Sequence, residues 1–103
     1  MRGMNDLMRQ AQVMQKKILE SQKALEQKRV EATSGGGMVT AVVTGGLDLV
    51  SIKIDKAAVD PNDVEMLQDL ILAAVNEGVK KAKAMKEEEM GKLTGGMNIP
   101  GLF

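Results

Sequence analysis

Residues 4 to 29 contain neither glycine nor proline, and Gln, Lys, Met, Leu and Ala dominate them. These are good helix formers, so the stretch reads as one unbroken α-helix. At 1.5 Å per residue that helix is about 39 Å long. A domain of 103 residues needs no element of that length. Part of the helix must therefore project from the body or pair with another chain, which favours an oligomer over a compact monomer. Met4, Leu7, Ala11, Met14, Ile18 and Leu25 fall at alternating spacings of three and four, apart from the gap at Ser21, and mark one apolar stripe. The stripe weakens at Ser21 and Lys28, making it a partial heptad seam rather than a strong coiled coil.

The character changes at residue 30. Val39, Thr40, Val42, Val43, Thr44, Val50, Ile52 and Ile54 concentrate β-branched side chains between glycine clusters. Strands are expected over residues 30–34, 38–44 and 47–54. Gly35-Gly36-Gly37 forms a loose turn, and Gly45-Gly46 a two-residue hairpin turn at positive φ. The result is a three-stranded antiparallel meander. Val39, Ala41 and Val43 share one face of the middle strand. Val50, Ile52 and Ile54 share one face of the third, with Asp48 an exception at the strand end.

A second helix is expected over residues 61–90. Asp60 caps it, Pro61 suits its first position, and Asp63 favours the positive end of its dipole. Val64, Leu67, Leu70, Ile71, Ala74, Val75, Ala82 and Met85 give it an apolar face. Gly78 costs about 1 kcal/mol relative to Ala in a helix interior and marks either a close contact or a weak point. Residues 1–90 thus form one α+β domain: helix, three strands, helix. Residues 91–103 are rich in glycine and read as a flexible tail. Its Met97, Ile99, Leu102 and Phe103 are either incidental to that disorder or a short docking peptide.

The absences narrow function. The chain has no Cys, His, Trp or Tyr, and one Phe. Without His or Cys there is no Ser-His or Cys-His nucleophile pair, no ordinary zinc site and no disulfide. Without Tyr or Trp there is no aromatic platform for single-stranded bases. No spacing of carboxylates suggests a metal site, and no cofactor is implied. The glycine triplet is no phosphate cradle, because Met38 and Val39 follow it where Lys and Ser or Thr are needed. Apolar runs are too short to span a membrane, and the charged N-terminal stretch does not resemble a secretory signal. A cytoplasmic, nonenzymatic protein is the expectation.

Net charge is zero, yet the charges are segregated. Residues 1 to 30 hold Arg2, Arg9, Lys16, Lys17, Lys23, Lys28 and Arg29 against Asp6, Glu20 and Glu26, a surplus of four positive charges. Arg2, Arg9, Lys16 and Lys23 recur every seventh residue, nearly two helical turns, and so line up about 10.5 Å apart. Such a line is either a solvated outer face or a ridge that meets phosphates without reading bases. Lys80, Lys81, Lys83 and Lys86 form a second, weaker cluster, partly cancelled by Glu87-Glu88-Glu89.

The order of motifs resembles the YbaB/EbfC family of bacterial nucleoid-associated proteins. The likeness rests on the Met- and Gln-rich first helix, Gly35-Gly36-Gly37-Met38-Val39 and Leu49-Val50-Ser51-Ile52-Lys53-Ile54-Asp55. It continues through Asp69-Leu70-Ile71-Leu72-Ala73-Ala74-Val75-Asn76-Glu77 and the closing Ile99-Pro100-Gly101-Leu102-Phe103. It covers essentially the whole chain. It implies a tweezers-like homodimer in which the sheets meet at the centre and the long helices project, and it implies double-stranded DNA as partner in the nucleoid. The DNA-contacting candidates come from the charge pattern: Arg2, Arg9, Lys16, Lys17, Lys23, Lys28 and Arg29, then Lys80, Lys81, Lys83 and Lys86. The alternative function is a protein-interaction adaptor or chaperone-like clamp, using Met4, Met8, Met14 and the tail.

Overall fold

Two long helices bracket a three-stranded sheet in the computed structural model, which describes residues 2–93. Helix α1 spans Arg2–Gln27, strands β1, β2 and β3 span Arg29–Ser34, Val39–Thr44 and Leu49–Ile54, and helix α2 spans Val64–Leu93. A short 3-10 turn, Lys56–Ala58, lies between β3 and α2. The strands are antiparallel in the order β1-β2-β3. Met97, Ile99, Leu102 and Phe103 lie outside the described residues.

The first turn is built as its glycines suggest. Gly35, Gly36 and Gly37 all take positive φ, at 60°, 67° and 96°, a region that costs glycine nothing. The second turn departs from the expected two-residue hairpin. Leu47, not Gly45 or Gly46, takes the positive φ, at 70°. Thr44 holds this loop, its Oγ1 accepting from the Asp48 N–H and its carbonyl from the Leu47 N–H. Gly45 serves a different purpose: a Cβ there would lie 2.6 Å from the Leu25 carbonyl oxygen. The glycine lets α1 press its last turn onto the hairpin.

Helix α1 stops at Gln27, two residues short of the expected 29. Lys28 bridges to the sheet and Arg29 opens β1. Helix α2 begins at Val64 rather than 61. Asp60 folds into its own turn, its Oδ1 accepting from the Asn62 N–H at 2.9 Å and its carbonyl from the Asp63 N–H at 3.0 Å. The helix cap is Asp63, whose Oδ1 accepts from the Met66 N–H at 3.2 Å. At its far end α2 continues to Leu93, so residues 91–93 are helix rather than tail.

Helix α2 packs on β1 and β2 through a row of small residues. Ala74, Gly78 and Ala82 are buried at every fourth position and face Ala32, Val39, Ala41 and Val43, all fully buried. A Cβ on Gly78 would lie 2.8 Å from Val43 Cγ2. Gly78 is therefore a close contact, not a weak point. Leu67, Leu70, Ile71 and Val75 close over Val39, Ala41 and Ala74.

Two surfaces stay open. All six residues of β3 are exposed, although Ile52 and Ile54 pair with Ala41 and Val39 and so share their face of the sheet. Along α1 only Leu25 is buried and Ile18 and Ser21 are half-buried, while Met4 and Leu7 are 66% and 71% exposed. The helix thus extends the molecule to 74 × 22 × 16 Å, with a radius of gyration of 19.5 Å. A compact chain of this length has a radius of about 13 Å.

Candidate nucleic-acid interface

The seat of α1 sets what its charges face. Leu25, buried on the hairpin, lies two residues from Lys23, about 200° around the helix. Lys23, Lys16 and Arg9 therefore run along the side turned away from the body, and each is exposed. Arg2 opens the helix on the same seven-residue spacing. Lys17, also exposed, points about 100° round the helix from Lys16. None of Arg9, Lys16, Lys17 or Lys23 forms an ion pair among the described residues. Asp6 and Glu20 lie three or four positions from members of the ridge and temper its field.

Two predicted lysines have partners elsewhere. Lys28 Nζ meets Glu89 Oε1 at 2.9 Å, tying the exit of α1 to the far part of α2. The Lys28 hydrogen bond and charge hold the Glu89 carboxyl below its ordinary range, with a smaller contribution from Lys92. Lys92 lies 3.8 Å from Glu88 and 3.9 Å from Glu89. Lys81 Nζ donates to the Glu31 carbonyl at 3.1 Å, on the open edge of β1. Arg29 is exposed on the same strand.

The lysine cluster of α2 does not make one surface. At 100° per residue, Lys80 faces away from the buried Ala74-Gly78-Ala82 row. Lys81 and Lys86 flank that row on opposite sides, and Lys83 stands between Lys86 and Lys80. All four are exposed. The structure thus gathers Arg9, Lys16 and Lys23 on one ridge, leaves Lys17 about 100° round the helix from it, and spreads Lys80, Lys81, Lys83 and Lys86 around α2.

An uncovered apolar surface escaped the sequence reading. Asp55 N–H donates to the Met38 carbonyl at 2.8 Å. By alternation Lys53 and Ser51 also direct their backbone groups to β2, while Ile52 and Ile54 turn theirs outward. The register shifts at Val50, since Val42 pairs with Ser51 and Val43 with Leu49. Val50, Ile52 and Ile54 are 42%, 36% and 40% exposed, and Leu49 is 45% exposed. Pairing sets Leu49, Ile52 and Ile54 opposite Val43, Ala41 and Val39 on the core side, and the register shift at Val50 breaks the alternation expected to place Val50 with Ile52 and Ile54. The sequence also does not reveal that α2 stops short of covering this strand. Among the described residues, no group of His, Cys, Asp or Glu could hold a metal ion. None of the helices described is long and apolar enough to cross a membrane.

The chain matches the model of the YbaB/EbfC DNA-binding family over residues 1–97. A nucleoid-associated protein of Alkaliphilus metalliredigens is 58% identical over 101 residues, covering 98% of this chain and 89% of the relative. Nucleoid-associated proteins of Clostridium acetobutylicum and Syntrophobacter fumaroxidans are 56% and 52% identical, over 97% and 98% of this chain and 89% and 91% of theirs. The crystal structure of the uncharacterized protein HP0035 from Helicobacter pylori shares the fold, with a TM-score of 0.76 and 24% identity. The match covers 85% of this chain and 92% of that one.

Proposed function

Because the chain belongs to the YbaB/EbfC DNA-binding family, we propose that it acts as a homodimer in the bacterial nucleoid. It grips double-stranded DNA through phosphate contacts of low sequence specificity and catalyses no reaction. The observation that carries this reading is the exposed ridge Arg9-Lys16-Lys23, with exposed Lys17 on an adjoining face, on a helix projecting from the body. Cations so placed meet phosphates and release counterions without touching base edges. Arg2 continues the seven-residue spacing toward the free end in sequence, and Arg29 stands at the root of the helix. Lys80, Lys83 and Lys86 are secondary contacts. Lys28 and Lys81, held by partners within the chain, contribute least.

The homodimer draws on β3. An edge strand with outward backbone groups and exposed Val50, Ile52 and Ile54 is a ready pairing surface. A second copy meeting it would bury both sets of side chains and place two ridges in one assembly. Each chain brings an N-terminal surplus of four positive charges.

The test is titration of labelled duplex DNA across salt, with light scattering for mass. The wild-type protein is expected as a dimer whose log–log salt slope corresponds to about 4 to 8 phosphates. Arg9→Glu/Lys16→Glu/Lys23→Glu abolishes binding. A dimer that binds no duplex even at low salt overturns the DNA reading. The adaptor reading then takes first place, since Met4, Leu7 and Met8 are exposed on the same helix and suit varied apolar partners.

A further inference from the structure

The root of α1 is a small, specific joint, and its parts come from three places in the chain. Leu25, the largest buried side chain of α1, sits against Gly45 at the β2–β3 hairpin. The Lys28 carbonyl accepts from the Gly45 N–H at 3.0 Å, and the Lys28 N–H donates to the Leu25 carbonyl at 3.1 Å. These contacts fix the helix end as a pivot. Half-buried Ser21 and Ile18 lengthen the seat by two turns, and residues 3 to 17 beyond them are exposed. Added to that packing is one ion pair across the joint, Lys28 Nζ to Glu89 Oε1, spanning 61 residues of sequence.

We propose that Glu89 is a positioning residue for DNA binding: by holding Lys28, it fixes the angle at which α1 presents its basic ridge. This rests on the DNA-binding reading above. It runs against simple charge counting. Glu89 is an acid, and removing an acid from a DNA-binding protein ordinarily leaves affinity unchanged or strengthens it. Here its removal releases the ridge into a wider set of angles. Only part of that set matches the duplex, so apparent affinity falls by the competent fraction. An exposed ion pair limits the loss to a factor of about two to five.

The experiment compares Glu89→Gln, Lys28→Glu and the exchange Lys28→Glu/Glu89→Lys in the full chain. Duplex affinity is measured at one low salt concentration. In parallel, spin labels at Gln12→Cys on α1 and Asn76→Cys on α2, both exposed positions, report the angle between the helices. Labelled protein is diluted with unlabelled protein so that only distances within one chain are read. The expected result for Glu89→Gln is a broadened distance distribution and affinity about two- to fivefold weaker despite the lost negative charge. The exchange, with the same net charge as wild type, narrows the distribution again and restores affinity. An unchanged distribution in Glu89→Gln, or affinity that follows net charge across the series, overturns the proposal. Wild-type protein that ignores DNA while its distances respond as described refutes the DNA reading and leaves the joint standing as a mechanical feature alone.

Discussion

Helices α1 and α2 have similar lengths, 26 and 30 residues, and opposite surroundings. Helix α2 lies along the sheet on a row of small residues, and the row lets its backbone come close enough to bury Ala74, Gly78 and Ala82. Helix α1 is seated by Leu25, Ser21 and Ile18 and leaves its remaining apolar stripe exposed. Helix propensity runs through both and does not separate them. Tertiary support does, and it makes α2 part of the body and α1 an arm.

That contrast can be broken most sharply at Gly78. Gly78→Val places branched carbons where a Cβ alone meets Val43 at 2.8 Å, and denaturant unfolding should show a loss of about 3 kcal/mol. At the seat of α1, Leu25→Ala should cost about 2 to 3 kcal/mol. Leu7→Ala, on the exposed stretch of the same stripe, should stay within about 0.5 kcal/mol. Equal effects at residues 7 and 25 would show that the arm is covered along its length in solution. The smallest effect concerns Glu89. Its carboxyl titrates below the ordinary glutamate range in the folded chain, so the pair stabilises the fold above that range and is lost as pH falls through the lowered value. The melting-temperature gap between wild type and Glu89→Gln should therefore hold near neutrality and close as pH falls through and below the ordinary glutamate range. A gap that widens in acid would contradict the pairing.

Local chemistry explains how much of this was legible in advance. The glycine-free stretch marks α1, β-branched residues mark the strands, and Gly35-Gly36-Gly37 marks a turn, because each rests on the preferences of neighbouring residues. The element order follows, as does the face shared by Val39, Ala41 and Val43. What escaped depends on contacts distant in sequence. Gly45 resembles any turn glycine until Leu25 is placed against it. Asp60 and Asp63 are both plausible caps, and the choice follows from the turn that Asp60 closes on Asp63. The ridge Arg9-Lys16-Lys23 was readable from spacing alone. The commitment of Lys28 to Glu89 and of Lys81 to Glu31 was not, since those partners are 61 and 50 residues away. The open face of β3 also depends on placement, because α2 is wide enough to cover β1 and β2 but not a third strand.

The length of α1 turns its seat into the short end of a lever. From Leu25 to Met4 the helix axis runs about 31 Å. A tilt of about 10° at the hairpin swings the free end through about 5 Å, more than the roughly 3.4 Å of duplex axis that each phosphate of one strand occupies. Side chains near Lys23 would hardly move under that tilt, while those near Arg9 would shift by most of the full amount. Error in the arm's bearing is thus smallest where it is anchored and grows steadily outward, so the outer cations are the ones whose registration with a duplex depends most on a joint they never touch.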